Sequence, residues 1–465
     1  MAEKVKVGQD EIRDARELGT PKMLTLGFQH MFAMFGATVT VPLLTGLSVS
    51  TTLLCAGLAT LLFHALTKFK VPAFLGSSFA FLAGYAAIAP MVDGQANVEM
   101  LPYACLGVVF AGVIYLILAT VIKTAGISKF MKFFPPVVTG PIIMAIGLGL
   151  APSAVANCES NWWLALIALG LVCIFNIFGK GMVKIIPILL GIVGAYLSAI
   201  ILGNICGIEG FAVDFSAVEQ AAWIGLPIEW SHTVFGGVHD SGLAVTAIIA
   251  IMPIAFATVM EHIGDISAIS ATVNQNFLKD PGLHRTLLGD GIATMLASLF
   301  GGPANTTYGE NTGVLALSKV YDPRVVRIAA YFAILLSFCP KFAAIITSIP
   351  MSIVGGISFV LYGLISAIGV RNIVEAKVDF SKSRNTLIAG VILVIALGLT
   401  GGVTFTIGEV TITLTALALA SIVGILLNVI FPEKDFNPEN AFESVSDSKQ
   451  INVGESEVEA YGAQS

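Results

Sequence analysis

Three acidic residues, Glu261, Asp265 and Glu310, interrupt long apolar stretches of this chain. Glu261 and Asp265 are four apart, so on a helix they share one face. Glu310 stands in Asn305-Thr306-Thr307-Tyr308-Gly309-Glu310-Asn311-Thr312-Gly313, β-branched and aromatic first, glycine-rich later. That text reads as a short extended strand breaking into a half-helix. Leu75-Gly76-Ser77-Ser78-Phe79-Ala80-Phe81 has the same character. Extended backbone at membrane depth exposes N–H and C=O groups that need partners, from each other or from a polar substrate. Carboxylates accept hydrogen bonds and free backbone N–H groups donate them. Together they suit an uncharged planar ring with adjacent N–H donors and C=O acceptors, with an aromatic face packed on the ring. Neighbouring carboxylates repel when both are ionised. A proton taken up on one side and released on the other would couple transport to a proton gradient.

The elements that must position these groups follow from composition. Of 465 residues, 56% are hydrophobic and only 12% charged. Mean hydropathy is +0.88. A soluble protein of this size needs about a quarter of its residues charged, so a soluble enzyme and a disordered chain are excluded. The net charge of −6 gives no footprint for nucleic acid. The chain reads as a polytopic all-α membrane protein. Its six cysteines show neither CxxC pairing nor metal-ligand spacing with histidine, and no metal or cofactor is expected. An acidic residue at mid-membrane costs about 2.5–3.5 kcal/mol, which makes Glu261, Asp265 and Glu310 functional candidates. His30 and His262 read as helix-packing hydrogen-bonders, and Asp290 and Glu409 as interfacial.

Apolar runs of spanning length give fourteen segments, near 23–47, 51–67, 72–92, 101–122, 135–155, 162–179, 185–205, 242–269, 286–300, 304–319, 325–347, 350–369, 385–400 and 410–431. The third, ninth and tenth are short or rich in Gly, Ser, Thr and Pro, as broken helices lining a cavity are. Residues 1–22 lack the pattern of a signal peptide, so the first segment is read as a retained span. With fourteen spans, every basic residue except Lys341 falls on one side, and the connection 206–241 carries none. The positive-inside rule then places both termini in the cytoplasm. The polar, acidic tail 433–465 is expected to be disordered.

Three short matches recur in one order. Gln29-His30 resembles Glu261-His262, Gly57-Leu58-Ala59-Thr60 resembles Gly291-Ile292-Ala293-Thr294, and Ser77-Ser78-Phe79 resembles Thr306-Thr307-Tyr308. Partners lie seven spans apart. Seven is odd, so the second copy enters the membrane from the opposite side. The result is a 7+7 inverted repeat with short extended segments in spans 3 and 10, a ground plan of secondary transporters.

Four stretches carry a resemblance: residues 29–38 (Gln29-His30 to Ala37-Thr38), 75–81, Lys279-Asp280-Pro281-Gly282-Leu283-His284-Arg285, and 305–311. Over roughly residues 23 to 430 the chain resembles the nucleobase–ascorbate transporter family, and within it the bacterial uracil permeases. The resemblance implies a core domain of spans 1–4 and 8–11 (23–133 and 236–348). It implies a gate domain of spans 5–7 and 12–14 (134–235 and 349–432), between the terminal segments 1–22 and 433–465. It further implies a homodimer in the bacterial inner membrane that imports a nucleobase, most simply uracil, with protons. Glu261 and Glu310 would bind the base through its N–H groups, and the backbones of Phe79 and Gly309 would meet its carbonyls. Ala37 and Tyr308 would shape the pocket, and Glu261, Asp265 and Glu310 would carry the proton coupling. Uracil permeases commonly have His where this chain has Asp265, and xanthine-type members have Asp. Those members usually have Gln where Glu310 stands, so xanthine or another oxopurine is the alternative substrate. A different class, an anion transporter on the same inverted fold, would set carboxylates against an anion. An intramembrane aspartyl protease is excluded, because Leu287-Leu288-Gly289-Asp290 lacks the glycine two residues before Gly289-Asp290 that such a motif requires.

Overall fold

The structure is a computed structural model describing residues 6–92, 95–126, 129, 132–399, 401–407 and 410–432. The acidic tail and Glu409 lie outside the described residues. Along the chain run α1 (Thr20–Thr45), α2 (Val49–Leu66), β1 (Leu75–Ser77), α3 (Leu82–Ile88), α4 (Leu101–Ala125), α5 (Pro136–Cys158), α6 (Trp162–Phe178) and α7 (Pro187–Ala199). There follow α8 (Ser241–Ile251), α9 (Ala255–Val273), α10 (Leu283–Leu299), β2 (Asn305–Thr307), α11 (Gly309–Ser318), α12 (Pro323–Ser337) and α13 (Pro340–Thr347). The last are α14 (Met351–Glu375), α15 (Ser383–Gly398), the hairpin β3 (Val403–Ile407) and β4 (Val410–Leu414), and α16 (Ala416–Ile430).

Local chemistry sets the boundaries. Ser48, Asn161, Asp240 and Thr415 cap α2, α6, α8 and α16 by accepting hydrogen bonds from first-turn N–H groups. Gly46, at φ 79°, closes α1 in the left-handed conformation. Proline opens α5, α7, α12 and α13, where its missing N–H loses nothing. Among the described residues seven helices are long and apolar enough to cross a membrane unaided, counting α8–α9 as one and α7 with its continuation to Ile205 as one. The pair α12–α13 is bent by 89°.

Two expectations are corrected. The ninth segment is not a broken helix. It is the continuous α10, and its glycines serve close packing between α2 and α4. A Cβ on Gly112 would fall 2.9 Å from the Gly291 carbonyl, and one on Gly291 would fall 2.5 Å from Tyr115 Cβ. The segment 410–431 is helical only from Ala416, because 410–414 pairs with 403–407 as a strand.

The helix pairs that pack most closely come in matched sets. Moving each member seven spans along turns α4 on α10 into α12 on α2. It turns α1 on α12 into α8 on α4, α6 on α7 into α15 on α16, and α6 on α14 into α15 on α5. The pairs α5 on α14, α2 on α10 and β1 on β2 map onto themselves. That pattern is what an inverted repeat requires. The closest packing falls within two bodies, α1–α4 with α8–α12 and α5–α7 with α14–α16, which touch where α1 meets α7 and α14 and where α8 meets β4.

Polar contacts at the two ends agree with the charge pattern. Lys70 pairs with Asp280 at 2.5 Å, Arg13 donates to Val273 O at 2.9 Å and Asn428 to Lys132 O at 3.1 Å. All join residues expected on the same side. On the other side Asp240 N–H donates to the Tyr103 hydroxyl at 2.8 Å and Asn161 to Gly210 O at 2.8 Å. Lys341, the basic residue out of pattern, lies there too, 5.2 Å above the Trp223 ring.

Candidate functional site

The two extended segments meet. β1 and β2 form an antiparallel ribbon with Leu75 opposite Thr307, Gly76 opposite Thr306 and Ser77 opposite Asn305. Each strand ends in a helix start, a 3₁₀ turn from Phe79 and α11 from Gly309. Neither start has an N-cap side-chain hydrogen bond, so each presents the positive end of a helix dipole. Gly309 is exposed, and a Cβ there would meet nothing within 4 Å. Phe79 and Glu310 are half-buried beside these starts.

Tyr308 locks the crossing. Its hydroxyl donates to Ser77 O at 2.9 Å and accepts from Thr38 at 3.3 Å, while Ser77 donates to Thr38 O at 3.0 Å. The ring is buried under Gly76, where a Cβ would come within 2.5 Å of it. Tyr308 therefore holds the ribbon from beneath.

The helix α9 carries the other two acids. Its open stripe is Glu261, Gly264, Asp265 and Ala268, while His262, Ile263, Ile266 and Ile269 are buried, the spacing of a helix with one solvated face. Asp265 Oδ2 accepts a hydrogen bond from Thr307 at 2.8 Å, which ties α9 to β2. Asn311, next to Glu310, lies 3.1 Å from His30 Nδ1 and donates to His30 O at 3.0 Å. His30 is thus a packing partner, as expected.

A cavity of about 330 Å³ opens between the two bodies. Ala37 and Glu310 line it with Gly36, Gly313, Asn176 and Lys184. Glu261, Asp265, Phe79, Gly309 and Tyr308 are outside its lining. Asp290 is a correction to the sequence reading. It is fully buried within α10, not interfacial, and pairs with His262 Nδ1 at 2.9 Å. No spacing in the sequence joins residues 262 and 290. The roles of Thr38, Ser77 and Thr307 were equally invisible, since each acts through a long-range contact. Chemically, the site sets carboxylates as acceptors beside uncapped helix starts as donors.

The chain matches the family model described as "Permease family" over residues 21–405. It is 41% identical over 444 residues to the "Uracil permease" of Bacillus caldolyticus, covering 93% of this chain and 97% of that one. It is 38% identical to the "Uracil permease" of Bacillus subtilis (strain 168), covering 90% and 94%. It is also 38% identical to the "Putative pyrimidine permease RutG" of Escherichia coli (strain K12), covering 88% and 89%. Among solved structures it resembles the transmembrane domain of the cyanobacterium bicarbonate transporter BicA, with TM-score 0.61 and 16% identity, covering 90% of this chain and 99% of that one. The structure of SLC26A9 follows with TM-score 0.58 and 13% identity, covering 88% and 64%. These two likenesses concern the fold.

Proposed function

The chain belongs to this permease family, and on that premise we propose that it is a proton-coupled symporter importing a nucleobase, uracil first. The observation that carries the reading is Glu310 in the first turn of an uncapped half-helix, at the wall of a cavity between the two bodies. Glu261 and Glu310 take the N–H groups of the base, the helix starts at Phe79 and Gly309 meet its carbonyls, and Ala37 bounds the space. Glu261, Asp265 and Glu310 share the proton. The two bodies act as core (23–133, 236–348) and gate (134–235, 349–432), and their division in the packing supports this. In this reading the protein has fourteen spans with both termini in the cytoplasm, and it works in the bacterial inner membrane as a homodimer joined through the gates.

Uracil is set before an oxopurine on the Tyr308-Gly309-Glu310-Asn311 context and the uracil permeases among the relatives, against the xanthine-type Asp265. The fold neighbours include a bicarbonate transporter, but carboxylates at the site oppose an anion. Uptake of labelled uracil into proteoliposomes tests the reading. Accumulation should need an inward proton gradient and collapse with a protonophore. Unlabelled uracil should compete, and xanthine, hypoxanthine and adenine should not. Sulfate or bicarbonate uptake in place of uracil would overturn it.

A further inference from the structure

Among the described residues the ribbon of β1 and β2 has no third strand on either edge. Tyr308 N–H donates to Phe74 O at 3.0 Å and Ser78 N–H to Ala304 O at 2.8 Å. Antiparallel ladders alternate, so the hydrogen-bonded pair between these is Gly76 with Thr306. Leu75 and Asn305 fall on the intervening pairs, and their own N–H and C=O groups point away from the partner strand. At membrane depth such groups are each several kcal/mol unfavourable unless the protein supplies a partner.

One threonine supplies it on each strand. Leu75 N–H donates to Thr60 Oγ1 at 2.9 Å, and that hydroxyl lies 3.2 Å from Leu75 O, sharing its proton with Ala56 O at 2.9 Å. Asn305 N–H donates to Thr294 Oγ1 at 3.2 Å, and Thr294 donates back to Asn305 O at 3.0 Å. Both threonines are buried. They end the two copies of the Gly-x-Ala-Thr match, so the repeat carries the same device in each half. Leu75 stands four residues before Phe79, and Asn305 four before Gly309.

We propose that Thr60 and Thr294 are paired positioning residues of the substrate site. Each fixes one strand of the ribbon in register, and so places the half-helix start that meets the substrate. So short a ribbon needs its register held from outside, by Tyr308 on Ser77, by Asp265 on Thr307 and by these two threonines, and a slip of one residue exchanges its faces. Such a slip would shift Gly309 and Glu310 by about 3.3 Å and take the Tyr308 hydroxyl off Ser77. The proposal rests on the nucleobase reading above.

The test uses full-length Thr60→Val, Thr294→Val and the Ser and Ala variants at each site, with labelled uracil binding and proteoliposome uptake. The Val variants should raise Kd and KM at least tenfold with kcat within threefold, and the Ser variants should stay within threefold of wild type throughout. Wild-type binding by Val overturns the proposal, as does equal loss in Ser and Val, which would assign the effect to methyl packing. If Val variants do not fold, Ser must bind at least fivefold tighter than Ala, and equality overturns it. If wild type itself binds no uracil, the nucleobase reading fails separately. Amide exchange at Leu75 and Asn305 then decides the clamp, which requires faster exchange in Val or Ala than in Ser. Equal exchange overturns it.

Discussion

Thr307 donates its hydroxyl to Asp265 at 2.8 Å, so the second acid of α9 grips the strand that leads directly into Gly309 and Glu310. The bond makes Asp265 a link between the helix carrying Glu261 and the half-helix carrying Glu310. Its position one turn from Glu261 puts the two carboxyl groups on one face of α9.

Thr307→Val removes the donor. An ordinary intramolecular hydrogen bond is worth about 0.5–1.5 kcal/mol net, so uracil Kd should rise roughly twofold to tenfold, and Thr307→Ser should restore it. Asp265→Asn keeps an acceptor oxygen and should bind uracil within about threefold of wild type, with an altered pH profile of uptake. Asp265→His should preserve uracil transport. Xanthine transport in wild type that Asp265→His abolishes would instead establish the oxopurine reading. Equilibrium binding and uptake of both bases in each variant separate these outcomes.

Glu261→Gln leaves a side chain of the same shape that cannot gain or lose a proton. Accumulation of uracil against a gradient should disappear, while exchange of uracil across the membrane persists. Counterflow and net uptake, measured in the same proteoliposomes, check this. Proton-driven accumulation at the wild-type rate would remove Glu261 from the coupling.

The acidic and strand-like residues of the candidate site are legible because membrane chemistry makes polar residues conspicuous. Glu261, Asp265 and Glu310 stood out against apolar text, and the strand-like stretches around Ser77 and Thr306 stood out by their β-branched and glycine content. The odd spacing of three short matches gave the inverted repeat. A place near the start of an apolar run suggests an interface for Asp290, whereas α10 is packed against α2 and α4 and Asp290 is fully buried. The glycines of α10 looked like a broken helix because close packing and helix breaking use the same residue. The lining of the cavity by Asn176 and Lys184 depends on how one body rests on the other, which no local pattern encodes.

Topology has a direct chemical readout. In a background with Cys173, Cys206 and Cys339 replaced by serine, Glu219→Cys should react with an impermeant maleimide on intact cells. Glu375→Cys should react only after permeabilisation. Labelling of both from the same face would exclude fourteen spans.

The N-terminal segment is strapped to the cytoplasmic end expected for α11. Gly8 N–H donates to Ser318 O at 2.9 Å, Ile12 N–H to Lys319 O at 2.9 Å, and Tyr321 N–H to Ile12 O at 2.8 Å. Arg324 closes the strap on Asp14 at 2.8 Å. Hydrogen bonding from Arg16 holds the Asp14 carboxyl well below the usual carboxylate range. A depressed carboxyl stabilises the fold above its unfolded value of about 3.9 and loses that contribution as pH falls through the folded value. Asp14→Asn should therefore lower the melting temperature by a constant, small amount from pH 5 to 8, and the gap should close only in stronger acid. Deleting residues 1–16 should lower it further. A gap that varies between pH 5 and 8 would mean another group drives it.

The buried pair of His262 and Asp290 makes the sharpest stability prediction. Both side chains are fully buried and 2.9 Å apart, between α9 and α10. Removing one member of such a pair leaves the other polar group stranded, a loss of about 1–3 kcal/mol, whereas replacing both with apolar residues is nearly neutral. His262→Leu and Asp290→Leu should each lower the melting temperature sharply, and the double variant should recover most of the loss. Thermal unfolding of the four proteins in one detergent gives the coupling energy, which should exceed about 2 kcal/mol. Additive losses would show that the two side chains do not act as a pair.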